Sequence, residues 1–182
     1  PYFKERGFSD ATLQAFDLGY SPEAWDAFLK AALKQGYSQE IIEKAGLVTQ
    51  KNEEGKVYDR FRNRVIFPIH NVSGKTIAFG ARILRNDAKN QAKYLNSPET
   101  PVFHKGRELY GLFEARDSIH AEGYVLVTEG YMDVVALAQW GFPNAVATLG
   151  TACTPDHVQK LFRFTDAVVF SFDVDSAGRR AA

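Results

Sequence analysis

Cysteine is nearly absent from this sequence, with Cys153 standing alone among 182 residues. A single thiol excludes an internal disulfide framework and a cysteine-based zinc ribbon. Long apolar runs are also missing: the sequence contains no stretch of about eighteen apolar residues, the length that a membrane-spanning helix needs, and no charged, apolar leader opens the chain. We therefore expect a soluble cytoplasmic protein with no membrane partner.

Several catalytic motifs are missing as well. The sequence has no G-x-x-x-x-G-K-[ST] motif and no G-x-G-x-x-G after a predicted strand, which excludes a P-loop and a dinucleotide-binding site. It also has no G-x-S-x-G nucleophile elbow. The four histidines show no ligand spacing, so we assign them no metal.

Net charge is zero, but the charges are unevenly distributed along the chain. Residues 55–110 contain 11 Lys and Arg against 4 Asp and Glu. Residues 1–54 contain 6 against 9, and residues 111–182 contain 5 against 9. A basic middle between acidic flanks predicts a polyanionic partner.

The first part of the chain is predicted to be helical and the next part β-rich. Within residues 8–46, one helix is expected to begin at the N-cap Ser21 and end at Gly36, and a second to run from Ser38 to Gly46. Period-two patterning over residues 57–83 predicts an antiparallel hairpin around the turn at residues 71–74.

Two features of the basic region refine this expectation. Pro68 places its strand at an edge or a bulge, because proline cannot donate to a ladder. The polar segment 85–107 is too long for a simple connector and predicts a functional loop. If the segment around residues 60–64 is extended, its alternating arginines form one stripe that could follow template phosphates: Arg60, Arg62 and Arg64.

From Tyr124 onward, strands and helices alternate. Strands are predicted over residues 124–128, 145–149 and 167–172, with helices over 131–140 and 155–164. Such alternation indicates a parallel sheet with right-handed crossovers. The fold class is therefore α/β, in which an α+β first part precedes a Rossmann-like parallel sheet.

Acidic residues follow two of these strands. Glu129 comes directly after the first strand and Asp173 directly after the third, so both are expected at the carboxyl edge of the sheet. Asp175 joins them by alternation. Clustered carboxylates need a hard cation, and Mg²⁺ with substrate phosphates suits nucleotidyl or phosphodiester chemistry. Each motif alone is more typical of a turn or helix cap, and Asp133 is a secondary candidate explained by the helix dipole.

Several stretches resemble the DnaG-type bacterial DNA primases. They are Tyr58-Asp-Arg-Phe-Arg, Val65-Ile-Phe-Pro-Ile, Lys93-Tyr-Leu-Asn-Ser-Pro-Glu-Thr, Leu109-Tyr-Gly-Leu, Glu129-Gly-Tyr-Met-Asp-Val-Val-Ala-Leu, Leu149-Gly-Thr-Ala and Asp173-x-Asp-x-Ala-Gly-Arg-Arg-Ala-Ala. The resemblance implies a Toprim fold that synthesises RNA primers on single-stranded DNA from ribonucleoside triphosphates. Topoisomerases and some nucleases share that fold, whereas the Lys93 stretch is particular to primases.

The resemblance also implies roles for individual residues. Catalytic Mg²⁺, for which Mn²⁺ can substitute, would be bound by Glu129, Asp173 and Asp175. Glu129 would in addition assist proton transfer. Nucleotide and template contacts would come from Arg82, Lys93, Tyr94 and Lys105. Val174 departs from the family pattern, which has Gly between the two aspartates, and stiffens the backbone there.

The resemblance further implies two domains: a primase core subdomain at residues 1–122, with its basic β-rich region at 55–110, and a Toprim domain at 123–182. The chain begins with Pro1 and stops soon after the second aspartate, so we expect an excerpt of a longer protein. Full primases add an N-terminal zinc domain and a C-terminal helicase-binding domain. We therefore expect zinc and the replicative helicase to bind outside these residues, and the excerpt to be weakly active or inactive.

Two alternatives remain open at this stage. A Toprim nuclease or topoisomerase would cut phosphodiesters with the same acids, although none of the eight tyrosines stands out as a nucleophile. A non-catalytic module could instead bind single-stranded DNA through residues 55–110 alone.

Overall fold

A computed structural model describes residues 2–50, 55–84 and 92–172. The helices of this described part are α1 (Tyr2–Glu5), α2 (Asp10–Ala15), α3 (Ala27–Lys34), α4 (Gln39–Lys44), α5 (Leu112–Glu122), α6 (Tyr131–Gln139) and α7 (Pro155–Leu161). The strands are β1 (Gly19–Ser21), β2 (Val48–Gln50), β3 (Val57–Asp59), β4 (Arg64–His70), β5 (Thr76–Ile83), β6 (Tyr94–Asn96), β7 (Val125–Thr128), β8 (Ala145–Ala147) and β9 (Val168–Phe170).

One of the two predicted N-terminal helices begins where expected. The Ser38 hydroxyl accepts the Ile41 backbone N–H at 3.3 Å and caps α4, and Gly46 adopts a positive φ just beyond the helix. The prediction that Ser21 caps the preceding helix is wrong. Ser21 ends strand β1, where its hydroxyl donates to the Arg64 backbone oxygen at 3.2 Å, and α3 begins only at Ala27.

The predicted hairpin is confirmed as β4 and β5, which pair antiparallel within a sheet of order β1-β4-β5-β6. The side chain of Asn71 closes its turn by accepting the backbone N–H groups of Ser73 and Lys75, each at 3.0 Å. Strand β4 is interior, but β1 pairs with it only as far as Ile66. Among the described strands, Pro68 therefore has no partner on the β1 side of β4, which satisfies the proline constraint.

The polar segment predicted as a functional loop contains a strand. β6 pairs with β5 in antiparallel register, with Arg82 opposite Tyr94 and Gly80 opposite Asn96. Residues 85–91 of that segment lie outside the described part of the chain.

The predicted parallel sheet is confirmed. Strands β8, β7 and β9 lie side by side in that order, and both pairings are parallel. Thr154 caps α7, the second predicted helix of this region, and its hydroxyl accepts the His157 backbone N–H at 3.1 Å. The helix is shorter than predicted and ends at Leu161.

Strands β2 and β3 form a separate antiparallel pair, whereas the four-stranded sheet and the parallel sheet share a hydrophobic core. Its aromatic centre is formed by Phe67 of β4, Tyr131 of α6 and Tyr110, with Tyr110 and Tyr131 meeting edge to face at 4.8 Å between ring centroids. Helix α5, which sequence analysis missed, packs instead on the parallel sheet with Leu112, Ala115 and Ile119. Hydrophobic packing thus continues from α5 to β7, across the proposed domain boundary between residues 122 and 123. That boundary remains a prediction. No helix in the described ranges is both long and apolar enough to cross a bilayer.

Candidate active site and nucleic-acid interface

Glu129 follows β7 at the carboxyl edge of the parallel sheet, as predicted. Thr128 pairs with Ala147 of β8, and Ser171 donates its backbone N–H to Val127 at 2.9 Å on the other side. Glu129 is exposed in a cleft of about 300 Å³ lined by Thr128, Glu129, Asp133, Ala136, Leu137, Trp140, Ser171 and Phe172. Asp173 and Asp175, which are predicted to bind the metal together with Glu129, lie outside the described residues.

A second carboxylate, that of Asp133, lines the same cleft from the first turn of α6. Gly130 makes room for it, because a Cβ atom at that position would lie 3.0 Å from Asp133 Oδ2. Carboxylate oxygens are the ligands that Mg²⁺ prefers, and this ion needs only one or two of them besides water and phosphate. Glu129 and Asp133 therefore fit the predicted ion. Within the described ranges, no group of three or more His, Cys, Asp or Glu residues forms a metal site.

Asn96 connects the antiparallel sheet to this edge of the parallel sheet. Its side-chain carbonyl accepts a short hydrogen bond from the Tyr131 hydroxyl, and its amide donates to the Leu149 backbone oxygen at 2.8 Å. Its own backbone oxygen accepts two bonds from the Arg60 guanidinium, at 3.2 and 2.9 Å. Burial, reinforced by Tyr94, raises the pKa of Tyr131 well above its ordinary value, so the hydroxyl stays protonated and donates.

The predicted arginine stripe does not form, because the condition of an extended backbone is not met. Residues 60–63 are irregular, and Asn63 has a φ of 51° in the left-handed region. Arg64 is buried at the start of β4 and donates to the backbone oxygens of Ala92 and Lys93 at 3.0 and 3.4 Å. Burial lowers the pKa of Arg60 and of Arg64, but both guanidinium groups stay charged at neutral pH.

Arg62 lies on an exposed aromatic surface. Its guanidinium carbon is 3.7 Å from the ring centroid of Trp25 and 5.1 Å from that of Tyr58. The indole of Trp25 is 62% exposed, although large aromatic side chains are usually covered. This stacked pair is a cationic and aromatic surface of the kind that binds unpaired bases and phosphates.

Tyr94 is the centre of a second cationic and aromatic cluster. Arg82 and Lys93 each approach its ring, with a distance of 5.8 Å from the charged atom to the ring centroid in both cases. The Tyr94 ring lies 6.5 Å from the ring of Tyr131, two residues beyond Glu129. Three predicted nucleic-acid residues are thus brought together, and Tyr131 links them to the start of α6.

Most described cations of the basic region have no carboxylate partner among the described residues, Arg107 with Asp156 being the exception. Eight of its described Lys and Arg side chains have no described carboxylate oxygen within 4.0 Å: Lys56, Arg60, Arg62, Arg64, Lys75, Arg82, Lys93 and Lys105. Surface cations elsewhere are often paired, as Lys30 is with Asp26 and Lys44 with Glu40. An unneutralised basic region suits a polyanion.

Sequence analysis missed Asn96, Trp25 and Tyr58 as members of this surface. A signal for Asn96 was available, because residues two apart in a strand share a face and Tyr94 was already a candidate. Trp25 and Tyr58 come together only through tertiary packing, with ring centroids 5.6 Å apart.

Comparisons with known protein families and sequences all match this chain to DNA primases or to the Toprim domain. The family described as "DNA primase catalytic core, N-terminal domain" matches residues 1–116, and the Toprim domain family matches residues 123–182. A DNA primase from Pseudomonas putida is 52% identical over 181 residues, which is 100% of this chain and 27% of the relative. The chain thus spans little more than a quarter of that relative's length.

Solved structures agree with these matches. The Escherichia coli primase catalytic core is 48% identical with a TM-score of 0.89, over 99% of this chain and 56% of that one. A DnaG primase catalytic domain described as bound to single-stranded DNA is also 48% identical, with a TM-score of 0.88, over 99% of this chain and 55% of that one.

Proposed function

The chain belongs to the DnaG-type bacterial DNA primases, and on that basis we propose that its parent protein synthesises short RNA primers on single-stranded DNA. The reaction is nucleotidyl transfer: the primer 3′ hydroxyl attacks the α-phosphorus of a ribonucleoside triphosphate, and pyrophosphate leaves. One observation carries the proposal. Asn96 joins the strand bearing Tyr94 to Tyr131, so the basic surface around Arg82, Lys93 and Tyr94 is linked to the start of α6, the helix that follows Glu129.

In this proposal Glu129, Asp173 and Asp175 bind catalytic Mg²⁺, with Mn²⁺ as a substitute. When bound, the metal supplies positive charge that stabilises the phosphate oxygens. Glu129 also accepts the proton of the attacking hydroxyl. The exposed position of Glu129 at the edge of the sheet supports this assignment, because both substrate and solvent can reach it.

We assign template and nucleotide binding to the basic surface. Arg62 with Trp25, and Lys93 with Tyr94, offer a cation and an aromatic face together, which suits a single-stranded backbone and its bases. The relative bound to single-stranded DNA supports this assignment. Arg60 and Arg64 hold the β6 segment in place through backbone oxygens, so their contribution to binding is indirect. Arg82 and Lys105 complete the proposed set of contacts.

The remaining partners belong to the whole protein. We place zinc in an N-terminal domain and the replicative helicase on a C-terminal domain, neither of which is part of this chain. We expect the parent protein to act in the cytoplasm at the replication fork, where its template is exposed. We also retain residues 1–122 and 123–182 as the proposed domains.

The test is primer synthesis by the intact parent protein on a single-stranded template with Mg²⁺ or Mn²⁺. Glu129→Gln is expected to reduce synthesis at least about 100-fold while leaving DNA binding intact. Asp117→Asn is the control, because it also replaces a carboxylate by an amide, at an exposed position of α5. It is expected to leave the rate unchanged. Undiminished synthesis by Glu129→Gln contradicts the catalytic assignment, and DNA cleavage without added triphosphates would favour a nuclease.

The 182-residue chain itself is expected to be weakly active or inactive in the same assay. Strand β9 pairs only with β7 in the described part, so one edge of the sheet has no strand partner there. Synthesis by the isolated chain at the rate of the parent protein would contradict this expectation.

A further inference from the structure

The loop that bears Lys105 is held locally by Glu99, which lies six residues earlier in the chain. One carboxylate oxygen of Glu99 accepts the backbone N–H of Lys105 at 2.9 Å, and the other meets His104 Nδ1 at 2.9 Å. The Lys105 N–H holds the pKa of Glu99 below its ordinary value, with a smaller contribution from His104. The carboxylate therefore remains ionised as an acceptor at neutral pH.

The same loop is also held by α7, the helix that connects β8 and β9 of the parallel sheet. The Thr154 hydroxyl donates to the Gly106 backbone oxygen at 2.6 Å, and His157 Nε2 contacts the Lys105 backbone oxygen at 2.9 Å. These bonds join residues about fifty positions apart in sequence, so they exist only in the folded chain.

The bonding of His157 defines its protonation state. Its Nδ1 faces the backbone N–H of Thr154 at 3.1 Å and must therefore be an acceptor. Nε2 then carries the proton and donates it to the Lys105 oxygen. His157 is completely buried and has both ring nitrogens satisfied, so it is a neutral imidazole that bridges the helix cap and the loop.

Ion pairs next to Lys105 leave its own ammonium group available. Arg107 pairs with Asp156 at 3.1 Å, and Glu108 pairs with Lys160 at 2.8 Å, so the loop is attached to α7 on this side as well. Lys105, by contrast, has no carboxylate oxygen within 4.0 Å among the described residues. The contacts fix its backbone, and its ammonium, whose charge also acts on the nearby Glu99 carboxylate, remains available to another anion.

We infer that Thr154 and His157 are positioning residues, which hold the Lys105 backbone on the parallel sheet that carries Glu129 so that the Lys105 ammonium meets the phosphates of bound single-stranded DNA. This inference rests on the proposed function and adds to it a link from the α7 cap to the template. A lysine stem is flexible, so a fixed backbone lowers the entropy lost when its ammonium contacts a phosphate.

The competing explanation is an ordinary capping box that stabilises α7 alone. Two matched pairs of substitutions separate the possibilities. Thr154→Asp keeps an N-cap acceptor but cannot donate to Gly106, whereas Thr154→Ser does both. His157→Glu keeps the usual capping-box residue but turns a carboxylate toward the Lys105 oxygen, whereas His157→Gln can accept from Thr154 and donate to Lys105.

The experiment measures the affinity of the intact parent protein for a fluorescein-labelled single-stranded oligothymidylate at several salt concentrations. Lys105→Ala is expected to weaken binding about fivefold and to make the salt dependence shallower. Thr154→Asp and His157→Glu are expected to weaken binding about threefold, and Thr154→Ser and His157→Gln to bind like the unmodified protein. Thermal unfolding of each pair verifies that both members fold.

A double-substitution cycle decides the matter. If Thr154 acts through Lys105, then Thr154→Asp has no further effect on affinity in a Lys105→Ala background. Additive effects, or unchanged affinity in the folded Thr154→Asp variant, would overturn the positioning role and leave the catalytic role of Glu129 intact. Unchanged affinity in Lys105→Ala would also overturn the positioning role, because Lys105 would then make no contact with the template. Primer synthesis by Glu129→Gln, by contrast, bears on the proposed function alone.

Discussion

The Tyr131 hydroxyl donates a hydrogen bond to the Asn96 side chain across a sequence separation of 35 residues. Tyr131 begins α6 immediately after Glu129 and Gly130, and Asn96 ends the strand that carries Tyr94. The bond therefore ties the start of α6 to strand β6, which carries Tyr94. A shift of either sheet relative to the other would have to break it.

Asn96→Ala is expected to lower the free energy of unfolding by about 1–3 kcal/mol, because it leaves both the buried Tyr131 hydroxyl and the Leu149 carbonyl without their partner. Urea unfolding followed by circular dichroism measures this. Tyr131→Phe removes only the hydroxyl. In the double variant the two losses should be less than additive, and strict additivity would show that the residues are not coupled.

Gly80→Ala is expected to destabilise the fold by about 1–3 kcal/mol, because a Cβ atom at residue 80 would overlap the Tyr131 ring. Gly19→Ala is the matched strand control, since its Cβ would meet only Ile66 Cβ at 3.9 Å. Thermal or urea unfolding compares the two variants. Equal stability would argue against the close packing of β5 on the Tyr131 ring.

Lys93→Ala is expected to weaken binding of single-stranded DNA and to reduce the slope of log affinity against log salt by about 0.7, the value for one phosphate contact. Lys44→Ala is the control, because Lys44 is exposed and paired with Glu40 at 2.8 Å. Fluorescence anisotropy over a salt series measures both slopes. A similar change in both variants would mean that the basic surface acts only through overall charge.

Glu99 is expected to titrate below the ordinary glutamate pKa, chiefly because it accepts the Lys105 backbone N–H. A depressed folded-state pKa means that Glu99 stabilises the fold above its unfolded pKa and that this contribution is lost as pH falls through the folded pKa. NMR titration of the carboxyl carbon measures the pKa directly. Glu99→Gln should remove part of the acid-side loss of stability, whereas Glu122→Gln, at the exposed end of α5, should not.

The sequence alone determined the parallel part of the fold and the position of Glu129. Strand β7, helix α6 and the Thr154 cap follow from patterns only a few residues long, in which periodicity, Pro155 and the small N-cap residue act locally. The carboxyl edge of a parallel sheet then places Glu129 without any further information. The hairpin of β4 and β5 was predictable for the same reason, because its turn and its alternation are local.

Tertiary structure decided what the local patterns left open. Ser21 could cap a helix or end a strand, and its bond with the Arg64 backbone, 43 residues away, selected the strand. Alternation could not place the arginines, because Asn63 turns the backbone out of the extended region. The Asn96–Tyr131 and His157–Lys105 bonds likewise join distant segments. A hydrogen bond between such segments depends on where packing brings the chain, and a local sequence pattern carries no record of that.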